Sequence, residues 1–304
     1  MNNPIELLVP NFQESAKHET DKQGAKNDSF KTTVKCLALD YDGTLSPIDA
    51  PRNYSWISDR KLSVLKEIGK KIPIIVTTRK DLEFMVPRTP FATAWSAVGG
   101  LETRIGNGTH TNCLSKSKMA NVTKAIAFAK SCLNHSGVEI EEKFGADGCP
   151  LAFCVDWRHA QTAEETVCEA DEVAAYCETL GLELVRSSQP FFEVYPRLPN
   201  KGKALKEILG ELEVKDGVMC LGDSEADNTA FMVSNVSVGV IHGENDPRTL
   251  ACDYLVTFDD VACFLDLILE NQFLFDSDYF INQNKDIYMK TPLRNNEKRS
   301  GGDA

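Results

Sequence analysis

The chain has 304 residues, 42% of them hydrophobic, and a formal net charge of −12. Such acidity argues against nucleic acid or an anionic membrane as the main partner, because both favour basic patches. No apolar run approaches the roughly 18 residues that a membrane-spanning helix needs, so no membrane segment is expected.

Residues 1–32 are polar and charge-mixed and read as a disordered tail. An apolar strand over 34–39 then closes on Asp40-Tyr41-Asp42-Gly43-Thr44-Leu45. A helix follows over 58–70, with Ser58 as its cap and Leu62, Leu65 and Ile68 on one face. Next come a strand at 73–77, a helix at 79–87 ended by Pro87 and Pro90, and a strand at 94–98. The segment 111–194 changes character: helix 116–135, strands 137–143 and 151–157, helix 162–181, strand 183–187 and a last strand, Phe191–Tyr195. Alternation resumes with helix 201–212, strand 217–221, helix 225–234, strands 236–240 and 253–256, and helix 259–271. Strands alternating with helices predict an α/β fold with a doubly wound parallel sheet over 33–110 and 195–275, interrupted by a smaller α+β domain over 111–194. From 276 to 304 the chain reads as a loose tail, with Tyr279, Phe280 and Tyr288 offering points of docking.

Ten cysteines are present without a C-x-x-C pair, and several sit inside apolar stretches. They read as reduced, buried thiols, and a zinc site is not expected. The N-terminus lacks an apolar signal core, so the expected location is cytoplasmic.

The chemistry concentrates at strand ends. Asp40 and Asp42 lie two apart and so share one side of the chain, where open α/β sheets bind ligands. Two acids this close suit Mg²⁺ or covalent phosphoryl transfer; alone, they fit a solvated turn equally well. Ile74-Ile75-Val76-Thr77-Thr78-Arg79 is a second apolar run, ending in hydroxyls. Val218-Met219-Cys220-Leu221-Gly222-Asp223 is a third, and Asp227 follows one helical turn later. Lys201, in Asn200-Lys201-Gly202-Lys203-Ala204-Leu205, starts a helix, with Lys203 competing for any role. Ser224 is a candidate N-cap. His110, His135, His159 and His242 have no evident partners and read as surface or loop residues.

These stretches, in this order, resemble the four motifs of the haloacid dehalogenase superfamily over about Val34 to Phe264. The resemblance implies a core carrying an inserted cap. It makes Asp40 the nucleophile and a metal ligand, and Asp42 the acid and base whose carbonyl also reaches the metal. Thr77 and Lys201 would hold the transferring phosphoryl oxygens. Asp223 would be a further metal anchor, and Asp227 a direct or water-mediated one. The metal would be Mg²⁺.

Within the superfamily the chain is most similar to trehalose-6-phosphate phosphatases. That rests on Asp40–Ile48, on Gly100-Leu101-Glu102, on Glu141-Glu142-Lys143 with Trp157-Arg158, and on Phe192-Glu193-Val194-Tyr195-Pro196 before Lys201-Gly202. It implies that Glu141, Lys143, Arg158 and Glu193 line a sugar pocket, joined by Thr78 and Arg79; a surface ion pair is the bland alternative for Glu141 and Lys143. The sequence departs from that pattern at Gly222-Asp223-Ser224, where Gly-Asp-Asp is usual, at Thr77-Thr78-Arg79 in place of Ser-Gly-Arg, at Asp156 in place of His, and in a longer Phe144–Pro150 loop. Gly-Asp-Ser is more like sucrose-phosphate and mannosyl-phosphoglycerate phosphatases. The expectation is a Mg²⁺-dependent phosphatase acting on a small sugar phosphate, trehalose 6-phosphate first. Sucrose phosphate, mannosyl-3-phosphoglycerate and glucosylglycerol phosphate are the alternatives, and a monomer is admissible. A phosphomutase would need more basic residues in 137–194, and a catalytically dead binding module would need a lost motif.

Overall fold

The computed structural model describes residues 30–283 and 288–289, apart from 49, 112–115, 135, 162, 187–188 and 244. The stretches 1–29 and 290–304, most of the expected tails, lie outside the described residues, as does His135.

After a short β1 (Lys31–Thr33), the chain enters β2 (Cys36–Asp40), which is buried at every position. The crossover helix α1 (Asp59–Gly69) starts as expected at Ser58, whose side chain accepts from the Lys61 amide. It leads to β3 (Ile74–Thr77), α2 (Leu82–Arg88) and β4 (Ala94–Ala97). Two strands not anticipated, β5 (Glu102–Ile105) and β6 (Gly108–Thr111), extend the sheet antiparallel. An insertion follows: α3 (Lys116–Cys132), β7 (Glu139–Phe144), β8 (Pro150–Asp156), α4 (Ala163–Thr179), β9 (Glu183–Arg186) and β10 (Phe191–Tyr195). The chain then returns through α5 (Lys201–Glu211), β11 (Val218–Gly222), α6 (Asn228–Phe231), β12 (Val236–Ile241), β13 (Tyr254–Thr257) and α7 (Val261–Glu270). It finishes with β14 (Leu274–Asp276), α8 (Ser277–Gln283) and β15 (Tyr288–Met289).

The large sheet runs β15-β13-β12-β11-β2-β3-β4-β5-β6, parallel from β13 to β4. Its strands are apolar on both faces because helices cover both. Leu37, Leu39, Ile74 and Val76 pack towards α1 and α7, while Cys36, Ala38, Ile75 and Cys220 pack towards α5 and α6. The inserted segment forms a separate antiparallel sheet, β7-β8-β10-β9, with its own core. Phe153, Val155, Phe192 and Val194 face α3 and α4. Period-2 alternation turns Glu141, Lys143, Cys154 and Glu193 to the opposite face. That face meets the carboxyl ends of the parallel strands, through contacts of Glu141 and Glu193 with Arg52, Arg79 and Lys80. The loop after β7 is also tied down, its Ala146 amide donating to Glu102 Oε1 at 2.8 Å.

Three expected elements differ. The helix placed at 79–87 begins at 82, because Asp81 takes the N-cap and accepts from the Phe84 amide at 2.9 Å. Residues 79–80 are thereby freed to meet the second sheet, and Pro87 lies inside the last turn rather than ending the helix. The helix placed at 225–234 is a 3₁₀ turn, Glu225–Asp227, followed by the four-residue α6. The tail expected from 276 is not loose at its start. Asp276 pairs with Lys31, α8 buries Phe280 fully against Phe264 and Phe275, and Tyr288 pairs in register with Leu255.

Candidate functional site

Strand tips create the site. β2 and β11 are register neighbours, so Asp40 and Asp223 emerge side by side. Asp227 joins them from the 3₁₀ turn, and ligand oxygens of the three lie within 4.8 Å of one another, all buried. Lys201, at the first turn of α5, is 4% exposed and bridges Asp40 Oδ1 at 2.6 Å and Asp227 Oδ1 at 2.7 Å. Its neighbour Lys203 is exposed, which settles which lysine enters the site. Gly202 must be glycine for that approach: a Cβ there would sit 2.0 Å from the Thr229 carbonyl oxygen.

Burial, then Asp227, pushes Asp223 up to about 7. Burial and Asp227 likewise hold Asp40 well above the usual carboxylate range, against the pull of Lys201. For Lys201, burial works against the charge, but Asp227 and Asp40 outweigh it and raise its pKa. Carboxylates held this close and resisting ionisation are a set that a cation relieves. The donor chemistry fits a hard divalent ion, which takes oxygen ligands. Asp227 is the most committed of the three, since its Oδ2 accepts from the Asp223 amide at 3.2 Å and from Ser224 N and Oγ at 3.1 Å each.

Asp42 is half-buried; Ser55 Oγ donates to its Oδ1 at 3.4 Å. Gly43 turns the chain at φ +75°, a conformation that favours glycine. Thr77 lies beside Asp40 across the β2–β3 register, and its buried Oγ1 has no hydrogen-bond partner among the described residues. Thr78 is buried and engaged locally, its Oγ1 accepting from the Lys80 amide at 3.1 Å.

The second sheet faces this centre with a charged lattice. Glu193, 4% exposed, accepts from Lys143 on Oε1 and from Arg79 on Oε2, the latter at 2.7 Å. Burial alone would raise its pKa, but Lys143 and Arg79 bring it down to about 2. Glu141 pairs with Arg52 and with Lys80, the latter at 3.4 Å; Lys80, Lys143 and Arg52 lower its pKa despite burial. Arg158 does not join them. It lies beyond the end of β8, pairs with Asp156 at 2.7 Å and leans on Phe191.

Sequence reasoning missed Arg52, Lys80, His242 and Asn245. His242 follows the apolar β12 as directly as Asp40 ends β2, and that position was the available signal. Read as a loop residue without a partner, it in fact contacts Asp223 Oδ2 through Nε2 at 2.9 Å.

Solved structures share this architecture. The C-terminal domain of a C. albicans trehalose-6-phosphate phosphatase superposes with a TM-score of 0.63 at 19% identity, covering 78% of this chain and 92% of that one. A sugar phosphatase of HAD subclass IIB gives 0.53 at 16% identity, covering 79% of this chain and all of that one. The fold is therefore that of the haloacid dehalogenase superfamily. A trehalose-phosphate phosphatase of Mycobacterium tuberculosis is 27% identical over 236 residues, 74% of this chain. This chain spans only 58% of that relative's length. The Trehalose-phosphatase family model matches residues 38–253, most of the sequence, and the chain belongs to that family.

Proposed function

We propose that this chain hydrolyses a sugar phosphate monoester, trehalose 6-phosphate, to trehalose and inorganic phosphate through an aspartyl phosphate on Asp40. The observation that carries this is the buried Asp40–Lys201–Asp227 bridge beside Asp223, at the carboxyl end of the sheet, in a chain of the trehalose-phosphatase family.

Uncatalysed phosphate monoester hydrolysis is so slow that enzymes accelerate it up to ~10²¹-fold. Asp40 attacks phosphorus, and the bond to the sugar oxygen breaks. Asp42, the more accessible acid, delivers a proton to that leaving oxygen. It then takes one from the water that attacks the acyl phosphate, releasing phosphate and restoring Asp40. Lys201 and the Thr77 hydroxyl hold the phosphoryl oxygens, and Lys201 draws Asp40 towards its ionised form. Asp40, Asp223 and the Asp42 carbonyl would hold Mg²⁺, with Asp227 as a direct or water-mediated ligand, and the ion would neutralise charge on the phosphoryl oxygens.

The 111–194 segment acts as a lid that excludes water and selects the sugar. Glu141 and Lys143 face the sugar, with Arg79 and Thr78 at the core side. Glu193 orders Lys143 and Arg79 by accepting from each, and its remaining lone pairs face the same pocket. Arg158 is left out of the pocket. Gly222-Asp223-Ser224 keeps sucrose phosphate and mannosyl-3-phosphoglycerate as competing substrates, with glucosylglycerol phosphate as a further alternative.

A phosphate-release screen over these four esters tests the reading. Trehalose 6-phosphate should give the highest kcat/KM, chelator should abolish turnover and Mg²⁺ should restore it. A higher kcat/KM for another ester reassigns the substrate; full activity in excess chelator removes the metal.

A further inference from the structure

We propose that His242 is a positioning residue of the metal site, its imidazole fixing the Asp223 carboxylate while Asn245 fixes the backbone beneath it. The proposal rests on the carboxylate cluster holding a divalent cation and adds a residue to which the reading above gives no role.

Three chain segments meet at one oxygen. Asp223 Oδ2 lies 2.9 Å from His242 Nε2. A Cβ on Gly43 would fall 2.2 Å from that same Oδ2 and 3.1 Å from Nε2, so the turn after β2 closes over the contact. The histidine side chain is 11% exposed and the aspartate 4%. Engaging one carboxylate oxygen sets the rotation of the group, and so the direction of the other oxygen. His242 stands outside the Asp40–Asp223–Asp227 set, whose ligand atoms all lie within 4.8 Å of one another. The geometry therefore makes it a partner of a ligand rather than a ligand.

Asn245 secures the same point from below. Its Nδ2 donates to the Asp223 carbonyl and to the Val240 carbonyl at 2.7 Å each, and its Oδ1 accepts from the His242 amide at 3.1 Å. One side chain thus clamps the ends of β11 and β12 together and holds the histidine on its aspartate. Partners that orient a metal-binding side chain are worth about 10–100-fold in metal affinity.

The test is Mn²⁺ binding to the full chain without substrate, with free Mn²⁺ counted by electron paramagnetic resonance. His242→Met keeps the bulk and loses the ring N–H; His242→Gln keeps a donor. The Met variant should bind Mn²⁺ about 10–100-fold more weakly than wild type, and the Gln variant should recover most of the loss. Equal affinities in folded Met, Gln and wild-type proteins overturn the proposal. Where the variants do not fold, ¹⁵N-histidine spectra of the wild type decide: the His242 Nε2 should carry a proton and shift on adding Mg²⁺, and a nitrogen insensitive to Mg²⁺ overturns it. A wild type that binds no Mn²⁺ removes the metal itself, which is distinguishable from a wild type and a Met variant that bind alike.

Discussion

Glu193→Gln isolates the contribution of the charged lattice between the two sheets. The substitution keeps shape and removes charge, leaving Lys143, 2% exposed, to the weaker pull of Glu141. Arg79, with a side chain 31% exposed, can turn to water; Lys143 cannot. Glu193 is held at about 2 instead of 4.5, and at 1.36 kcal/mol per unit that preference for the ionised form corresponds to about 3 kcal/mol. Breaking a buried ion pair from one side costs about 3–5 kcal/mol, so the two routes agree on a loss near 3. For a chain of this size the melting temperature should fall by about 5 °C at pH 7. The pH dependence follows from the direction of the shift. A carboxylate lowered on folding stabilises the fold above its unfolded value and loses that contribution as pH drops through the folded one. The gap between wild type and Gln should therefore be full at pH 6 and narrow between pH 4.5 and about 2. Calorimetry at pH 7, 4 and 3 checks both. A loss under about 1 kcal/mol, the scale of an exposed pair, or a gap that stays constant down to pH 3, would refute the reasoning.

Asp40→Asn should abolish phosphate release while the protein still folds, because Lys201 keeps Asp227 as its anion; more than a few per cent residual turnover takes the nucleophile role from Asp40. Gly43→Ala should lower both stability and metal binding: the backbone conformation alone costs about 1–2 kcal/mol, and the new methyl forces Asp223 to rotate. Denaturant melts and a Mn²⁺ titration read these two losses separately, and wild-type values in both would contradict the packing described. Glu141→Ala should depress turnover of trehalose 6-phosphate far more than that of a small generic ester, which makes no use of the second sheet. Equal losses on both esters would mean that Glu141 serves only to bridge Arg52 and Lys80.

Much of this protein was written in local pattern. Apolar runs ending in Asp40, Thr77 and Asp223 predicted parallel strands with chemistry at their tips, because strand periodicity and the carboxyl-end rule need only neighbouring residues. The insertion was legible as a break in that alternation. Ser58 was readable as a cap for the same reason. What local pattern could not supply was contact between distant segments. Local pattern does not mark Asp81 as the cap of α2, and so does not show that Lys80 stands outside the helix and reaches Glu141. Phe280 is nameable from the sequence as a point of docking, but its pocket, Phe264 and Phe275, is assembled only when α7 and β14 pack. Arg158 was grouped with the sugar pocket by its motif, yet the end of β8 carries it to Asp156 instead.

The sequence by itself determined the kinds of group available and the strand ends that bear them. Tertiary structure decided their partners. Lys201 and Asp40 are 161 residues apart, and Glu193 and Arg79 are 114 apart. Such pairings depend on which strands lie side by side and on a second sheet turning its polar face inward. Hydrophobic periodicity fixes the faces of each strand; only the closed sheet order sets which charges share a buried space, where burial and the neighbouring charges together set their shifted pKa values and their chemistry.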